Sequence, residues 1–297
     1  MNFNIRKYNI VICFTIVLIC LAVVFSSVDF SSKLKDPTKI DADVINADSN
    51  NQDPENNNSN SDTNSLGMPK LTNINNNMAY LLNALDILEK YDYKLTTSSS
   101  IEGKSGNFGG IQKLDSKIYK LKDESYIITE ANGSQIPLGY GETYIEYTKL
   151  TNSSVSIKRK GGSVKTQTLT DYLSVRGVRP DTLPFVLNSK TVKISPKNDP
   201  TKTYLELTLT LTTNAYKDYS KQLEANGGEG SNPSIDSITL TLKINKTYGY
   251  IISATSKENY SISRNGMKAT TNATVVYSFN YFGDFSSEID KIKTQFN

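Results

Sequence analysis

Residues 205–212 read Leu-Glu-Leu-Thr-Leu-Thr-Leu-Thr, and residues 238–245 read Ile-Thr-Leu-Thr-Leu-Lys-Ile-Asn. In both stretches every second side chain is a large aliphatic and the ones between are polar. That is the period of a strand with one face buried and the other in water. Weaker alternation of the same kind marks Tyr93–Glu102, Ile111–Leu121, Tyr126–Glu130, Thr143–Leu150, Val155–Lys160, Val192–Ser195, Tyr248–Ser263 and Met267–Phe282. The segments between them carry turn chemistry: Lys122-Asp123-Glu124, Thr151-Asn152-Ser153 and Arg264-Asn265-Gly266. Asn-Gly adopts positive φ readily, and short turns make their flanking strands antiparallel neighbours. The expectation is a meandering antiparallel sheet with one apolar face.

Such a face needs a cover. Upstream of the strands, Leu71, Ile74, Met78, Leu81, Leu85 and Leu88 fall at intervals of three and four, the period of one helix face, and Leu82, Ala84 and Ile87 widen it. Asn75–Asn77 are poor helix formers, so the helix starts either at Thr72 or near Asn77, both of which are able to cap it. Two further segments interrupt the meander. Thr168–Leu187 reads as a short helix followed by an irregular loop. Asn214–Ala225 reads as a second helix closed by Asn226-Gly227-Gly228, with an exposed flexible loop over Asn226–Ser234. The fold class is therefore α+β, mostly β: a curved antiparallel meander sheet, a half-barrel, covered by an N-terminal amphipathic helix and short helical inserts.

The first 28 residues have a different character. Arg6 and Lys7 precede Ile10–Phe25, in which Thr15 is the one polar side chain. Counting its edges, the apolar run reaches about 20 residues, enough to cross a hydrocarbon core of ~30 Å. Val24-Phe25-Ser26 makes a poor cleavage site, so the reading favours an uncleaved signal anchor over a cleaved signal peptide. Cys20 follows Ile19 and Cys13 follows Ile12, which disfavours lipidation. Residues 29–68 hold few large apolar groups; Asn46–Ser65 reads NADSNNQDPENNNSNSDTNS. That composition does not bury enough apolar surface to offset its conformational entropy and reads as a disordered tether. The organisation expected is a signal anchor or transmembrane helix over 1–28, a tether over 29–68 and a β-rich domain over 69–297. The domain is expected outside the cytoplasm, held to the cell membrane by the single N-terminal span.

Composition excludes several chemistries. The 297 residues include no His, and both Cys lie in the apolar run, so no Ser-His-Asp triad, Cys-His dyad or His metal site is available. Without Arg6 and Lys7 the remaining charges nearly balance, which gives no basic footprint for nucleic acid; the cluster Lys158-Arg159-Lys160 is short. Gly106–Gly110, as GNFGG, lacks the Lys-Ser/Thr ending and following helix of a phosphate loop and reads as a hairpin turn. Asp123-Glu124 falls in a turn, and Ser98–Ser100 lies on a strand without the motifs of a Ser-Lys dyad. No catalytic residue, metal ligand or cofactor is assigned, and the chain reads as a binder, not an enzyme.

The late hairpin Ile238–Ser263, ITLTLKINKTYGYIISATSKENYSIS, contains an Ile-x-Lys-x-x-Gly-x-Ile core over Ile244–Ile251. With the preceding tether and amphipathic helix, it resembles the strand–turn–strand of the LolA/LppX-like bacterial lipid and lipoprotein carriers. The resemblance covers about Leu71–Phe282 and implies a non-catalytic envelope protein with a greasy cavity for a lipid, a lipoprotein or another hydrophobic molecule. The competing expectation is a cell-surface module with a closed core that interacts with protein or wall. One cluster stands out: Arg176 and Arg179, beside Pro180, Asp181, Pro184 and Phe185, in a chain that otherwise prefers Lys. A planar guanidinium suits an anionic head group at a cavity mouth. The structural counterpart is pairing of Arg179 with Asp181 within the loop or with a neighbouring carboxylate.

Overall fold

A computed structural model of the chain describes residues 64–72, 76–106, 108–136, 143–227, 230–264 and 266–297. The signal anchor expected over 1–28, the tether up to residue 63 and Gly139-Tyr140-Gly141, a stretch whose two glycines read as a loop, lie outside them. Among the described residues no helix is long and apolar enough to cross a membrane.

Eleven strands form one antiparallel sheet: β1 (Tyr93–Ser105), β2 (Phe108–Lys120), β3 (Glu124–Ile136), β4 (Thr143–Thr151), β5 (Ser154–Arg159), β6 (Lys165–Thr168), β7 (Val192–Lys197), β8 (Tyr204–Leu211), β9 (Asn232–Asn245), β10 (Ile251–Arg264) and β11 (Met267–Asn280). The spatial order is β6-β5-β4-β3-β2-β1-β11-β10-β9-β8-β7, so strands adjacent in space are consecutive in sequence except where β1 meets β11, and the consecutive β6 and β7 lie at opposite ends. The sheet is open, with β6 and β7 at its edges. The expected curved meander with helical inserts is what the chain adopts.

Three helices and a loop cover one face. In α1 (Asn77–Lys90), the Asn76 side chain accepts the Ala79 N–H at 2.9 Å and caps the first turn, so the helix starts at the later of the two candidate positions. Its buried residues are Leu81, Ala84, Ile87 and Leu88; Leu82, expected to widen the buried face, is exposed instead. At its C-terminal end Lys120 Nζ donates to the carbonyls of Leu88 and Glu89, at 2.8 and 3.1 Å. A cation there meets the negative end of the helix dipole. Helices α2 (Leu169–Arg176) and α3 (Lys217–Gly227) arise from the two expected inserts, with a 3-10 turn at Thr213–Ala215 leading into α3. The main core gathers α1, Leu183, Phe185 and Leu187 of the loop after α2, and the inner residues of β7–β11 and β1–β3, among them Leu95, Leu207, Leu240 and Phe279.

Four features depart from the sequence reading. The fold starts before residue 69: Met68 is fully buried, and Asn64 Oδ1 accepts the Leu66 and Met68 N–H groups, each at 3.0 Å. Strand β9 begins at Asn232, inside the segment read as a flexible loop. Strand β6, a fourth hairpin partner at the edge, is exposed throughout, so it lacks the alternation that marks a half-buried strand. Finally, the sheet has apolar surface on both faces. A terminal helix α4 (Ser286–Lys293) buries Ile289 and Ile292 against Tyr119 and Tyr126 on the outer face, fastened by Lys94 Nζ to both Glu288 oxygens at 2.9 and 3.0 Å.

The Ile-x-Lys-x-x-Gly-x-Ile core has a structural explanation. Asn245 Oδ1 accepts the N–H groups of Thr247 and Tyr248, both at 2.9 Å, and Lys246 Nζ donates to the carbonyls of Asp199 and Lys202. The Thr247 carbonyl accepts the Leu71 N–H at 2.7 Å, tying the lead-in of α1 to this turn. Gly249 has φ +80°, and a Cβ on it would collide with the Asn83 side chain and Leu71. Gly266, at the β10–β11 turn, has a similar φ of +78° but open space around it. Gly249→Ala is therefore expected to destabilise the fold by about 2–4 kcal/mol and Gly266→Ala by about 1–2 kcal/mol, the difference being the collision. Urea unfolding of the two variants checks this; equal losses would mean that backbone conformation alone is at stake.

Candidate functional site

The register of the sheet arranges inner-face side chains in rows that run across the strands. One row is Phe279–Leu95–Ile118–Ile127, apolar and buried. The next is Tyr277–Thr97–Ser116–Thr129, then Val275–Ser99–Leu114–Ala131, then Glu258–Ala273–Ile101–Gln112–Gly133. The first row belongs to the core. Beyond it the β1–β3 side chains turn to hydroxyls: Thr97, Ser99, Ser116 and Thr129 are half-buried, and so are Leu114 and Ile101. Ser116 and Thr129 hydroxyls share a hydrogen bond at 2.9 Å, and Ser99 Oγ donates to the Leu114 carbonyl at 3.1 Å. The inner face is thus a filled apolar core at one end and a mixed hydroxyl and aliphatic surface at the other.

Two helices border this second part. Leu169, Tyr172 and Leu173 of α2 pack on Leu150, Val155 and Ile157 of β4 and β5. Tyr219 and Leu223 of α3 pack on Tyr260, Ile262, Ala273 and Ile101. The two helices touch each other at Gly177, whose φ of +75° closes α2; a Cβ there would strike the Asp218 carbonyl. The helices reach over the sheet from its two sides and meet.

Two polar side chains end up buried in the last of these rows. Glu258 is 1% exposed. Tyr219 Oη donates to its Oε2 and Ser256 Oγ to its Oε1, each at 2.7 Å. Burial pushes its carboxyl up from the ordinary glutamate range, and the two hydroxyl bonds only partly oppose that. The phenols of Tyr260 and Tyr277 nearby are pushed up as well, first by burial and then by the Glu258 charge. Gln112 is 4% exposed. Its Nε2 donates to the carbonyls of Lys113 and Asn132, both at 3.1 Å, while its Oε1 has no hydrogen-bond partner among the described residues. Neither residue was singled out from the sequence. A signal existed: on β10, Ala254 and Ile262 fix the inward parity that Glu258 shares, and on β2, Ile118 and Leu114 do the same for Gln112.

Arg179 closes its fork on Asp181, Nε to Oδ1 at 2.9 Å and Nη2 to Oδ2 at 2.8 Å. Asp181 is fully buried; Ser125 Oγ donates to its Oδ2 at 2.6 Å, and Tyr93 Oη donates to its backbone carbonyl at 3.0 Å. These bonds pin the loop after α2 to β1 and β3, and they are the loop pairing that the sequence offered as the structural reading. Arg176 sits half-buried in the last turn of α2; burial pushes the Tyr172 phenol up, and the nearby Arg176 charge only partly opposes it. Among the described residues no group of acidic or Cys side chains is placed to hold a metal ion.

No family model matches the sequence, and no curated protein does. Among solved structures the chain is similar to a DUF1329 family protein from Desulfovibrio piger, with 6% identity and a TM-score of 0.26 over 71% of this chain and 97% of that one. It is also similar to a putative outer membrane lipoprotein-sorting protein domain from Vibrio parahaemolyticus, with 7% identity and a TM-score of 0.27 over 71% and 96% of the two chains. A third is a β-barrel-like protein of domain of unknown function DUF1849 from Brucella abortus, at 5% identity and a TM-score of 0.20 over 65% and 99%. Likenesses this distant carry no argument about function, which rests on the site itself.

Two outcomes follow for the buried acids. Arg179→Ala leaves the Asp181 carboxylate buried without its cation and is expected to cost about 2–4 kcal/mol in urea unfolding, reduced from a fully buried pair because Arg179 is partly solvated. Arg176→Ala is expected to cost less. For Glu258 the folded-state value is raised, so its contribution to stability is fully present below the unfolded value of about 4.3 and is lost as pH rises through the folded value. Glu258→Gln keeps the shape without the charge. Relative to wild type it is expected to gain thermal stability at about pH 8 and to lose that advantage near pH 4. A gain that does not change with pH would show that Glu258 is not the group that titrates.

Proposed function

We propose that the chain is a membrane-tethered, extracytoplasmic binding protein whose inner face takes an amphiphilic, lipid-like ligand without transforming it. The observation that carries this reading is the division of the inner face. Where the sheet meets α1 and the loop after α2, aliphatic and aromatic side chains fill the interior. Where it meets α2 and α3, Thr97, Ser99, Ser116 and Thr129 stand half-buried beside Leu114 and Ile101. A purely greasy cavity, as the carrier resemblance implies, has no use for four hydroxyls; a closed core has no use for half-buried ones. An amphiphile matches both kinds of group at once.

The tether and its orientation rest on the sequence: a basic start, an apolar run and an Asn-rich spacer ahead of a body without Cys. In this reading Arg179 serves the ligand indirectly, through the loop that it and Asp181 hold against β1 and β3.

The test compares what the full chain retains with what a blocked form retains. Ser116→Trp places an indole on the hydroxyl-lined surface, away from the buried first row. Both proteins are purified in the same detergent from the same host, and their organic extracts are quantified by mass spectrometry. The wild-type chain is expected to hold an amphiphile close to one per chain that the variant lacks, at similar thermal stability. Identical extracts would overturn the proposal and favour a closed interaction module.

A further inference from the structure

The near balance of charge along the chain hides an uneven spread over the sheet. On the outer face of β1–β3, Lys104, Lys113 and Lys117 are balanced by Glu102, Asp115 and Glu130. On the outer face of β7–β10 the acids drop out. Lys193 and Lys257 end one row across these strands, with Thr210 and Thr239 between them. Lys197 and Lys243 stand in another, on either side of Glu206. The row between is all hydroxyl, from Ser195 through Thr208 and Thr241 to Thr255. Lys193, Lys197 and Lys257 are exposed, and Lys243 is half-buried over the Tyr204 ring, 5.0 Å from its centroid. Lysines and a proline such as Pro196 are what an open edge strand carries to prevent pairing. That accounts for Lys193 and Lys197 on β7, but not for Lys243 and Lys257, whose strands lie inside the sheet.

The chain joins the fold at one end of this face. The Leu71 N–H donates to the Thr247 carbonyl, and Lys246, beside Thr247, donates to the carbonyls of Asp199 and Lys202. The lead-in from residue 64 therefore meets the sheet next to the β7–β8 turn, at the end where Lys197, Lys202 and Lys243 lie. Resting on the reading of 1–68 as anchor and tether, we infer that the outer face of β7–β10 docks on the anionic head groups of the membrane that holds the chain. The lysines pair with head-group phosphates, and the hydroxyl row donates to their oxygens. None of the three rows carries an apolar side chain, so the contact stays at the surface. Four lysines less one carboxylate leave a charge of +3 on the face. Each net charge near an anionic surface strengthens binding by roughly five-fold. That is too little to recruit a free domain, and enough to orient one that a tether with a reach of ~35 Å already holds there.

The experiment uses the full chain inserted into lipid nanodiscs, one set of phosphatidylcholine alone and one with roughly a third phosphatidylglycerol. Lysines are labelled with an acetylating ester, and the rate at each is read by peptide mass spectrometry. Lys193, Lys197 and Lys257 are expected to label about five-fold more slowly in the phosphatidylglycerol discs, while Lys104 and Lys113 label alike in both. The protection is expected to vanish at about 1 M salt, where screening acts within ~3 Å. Lys193→Glu combined with Lys257→Glu, both at exposed positions, is expected to remove the protection of Lys197. Equal labelling in the two discs would overturn the inference and leave the tether standing, and so would protection that survives the salt or the double exchange. A chain that co-elutes with neither disc would overturn the tether and this inference together.

Discussion

The pairing of the first strand with the last holds this molecule together. From Lys94↔Asn280 to Lys104↔Thr270, β1 and β11 form an unbroken antiparallel ladder between segments 166 residues apart at its far end. Without it the chain would be two separate ribbons, β2–β6 hanging from β1 and β7–β10 hanging from β11. Closing a loop of that length costs about 4–5 kcal/mol in its length-dependent term. Leu95 and Phe279 sit opposite each other in the ladder, both fully buried, and Tyr93 packs edge-on against Phe279 with ring centroids 5.5 Å apart. At about 1.5–3 kcal/mol for each large side chain buried, those three alone offset the closure. The inner-face rows depend on the same ladder, because each of them crosses it.

The sequence disclosed the elements whose two faces differ. Leu205–Leu211 and Ile238–Ile244 alternate because one side meets the core and the other meets water, and the α1 stripe is visible for the same reason. Where the two faces are alike, the period disappears. Along β1, Thr97 and Ser99 point inward while Thr96, Ser98 and Ser100 point outward, so the middle of the strand reads as an undifferentiated polar run. Strand β6 is exposed on both sides and gives no period at all. Helix α4 did leave a trace: Phe285, Ile289, Ile292 and Phe296 fall at intervals of four, three and four. Spread over an eight-residue helix at the end of the chain, that pattern is too short to separate from the preceding strand.

The candidate site was hidden for a related reason. Glu258 lies in Lys257-Glu258-Asn259, which looks like an exposed strand edge, because nothing in residue type separates a buried carboxylate from its two exposed neighbours. Only the parity inherited from Ala254 and Ile262 turns it inward, and only tertiary packing brings Tyr219 from α3 to meet it. The arginine cluster shows the converse. Rarity drew attention to Arg176 and Arg179, yet the guanidinium geometry that suits a ligand anion suits Asp181 equally well, and Asp181 is two residues away.

Glu258 and Gln112 together show how the inner face accommodates buried polar groups. They occupy one row, are almost equally buried, and are separated by Ala273 and Ile101, yet the chain treats them differently. Around Glu258 it supplies two hydroxyl donors, from β10 and from α3, which is what a buried acid needs whether charged or neutral. Around Gln112 it fixes the amide with two backbone carbonyls, of Lys113 and Asn132. In a row nearer the core two hydroxyls satisfy each other, as the Ser116–Thr129 pair shows. Buried polar groups on this face are thus held in two ways, by side-chain hydroxyls around Glu258 and by the carbonyls of the sheet itself around Gln112.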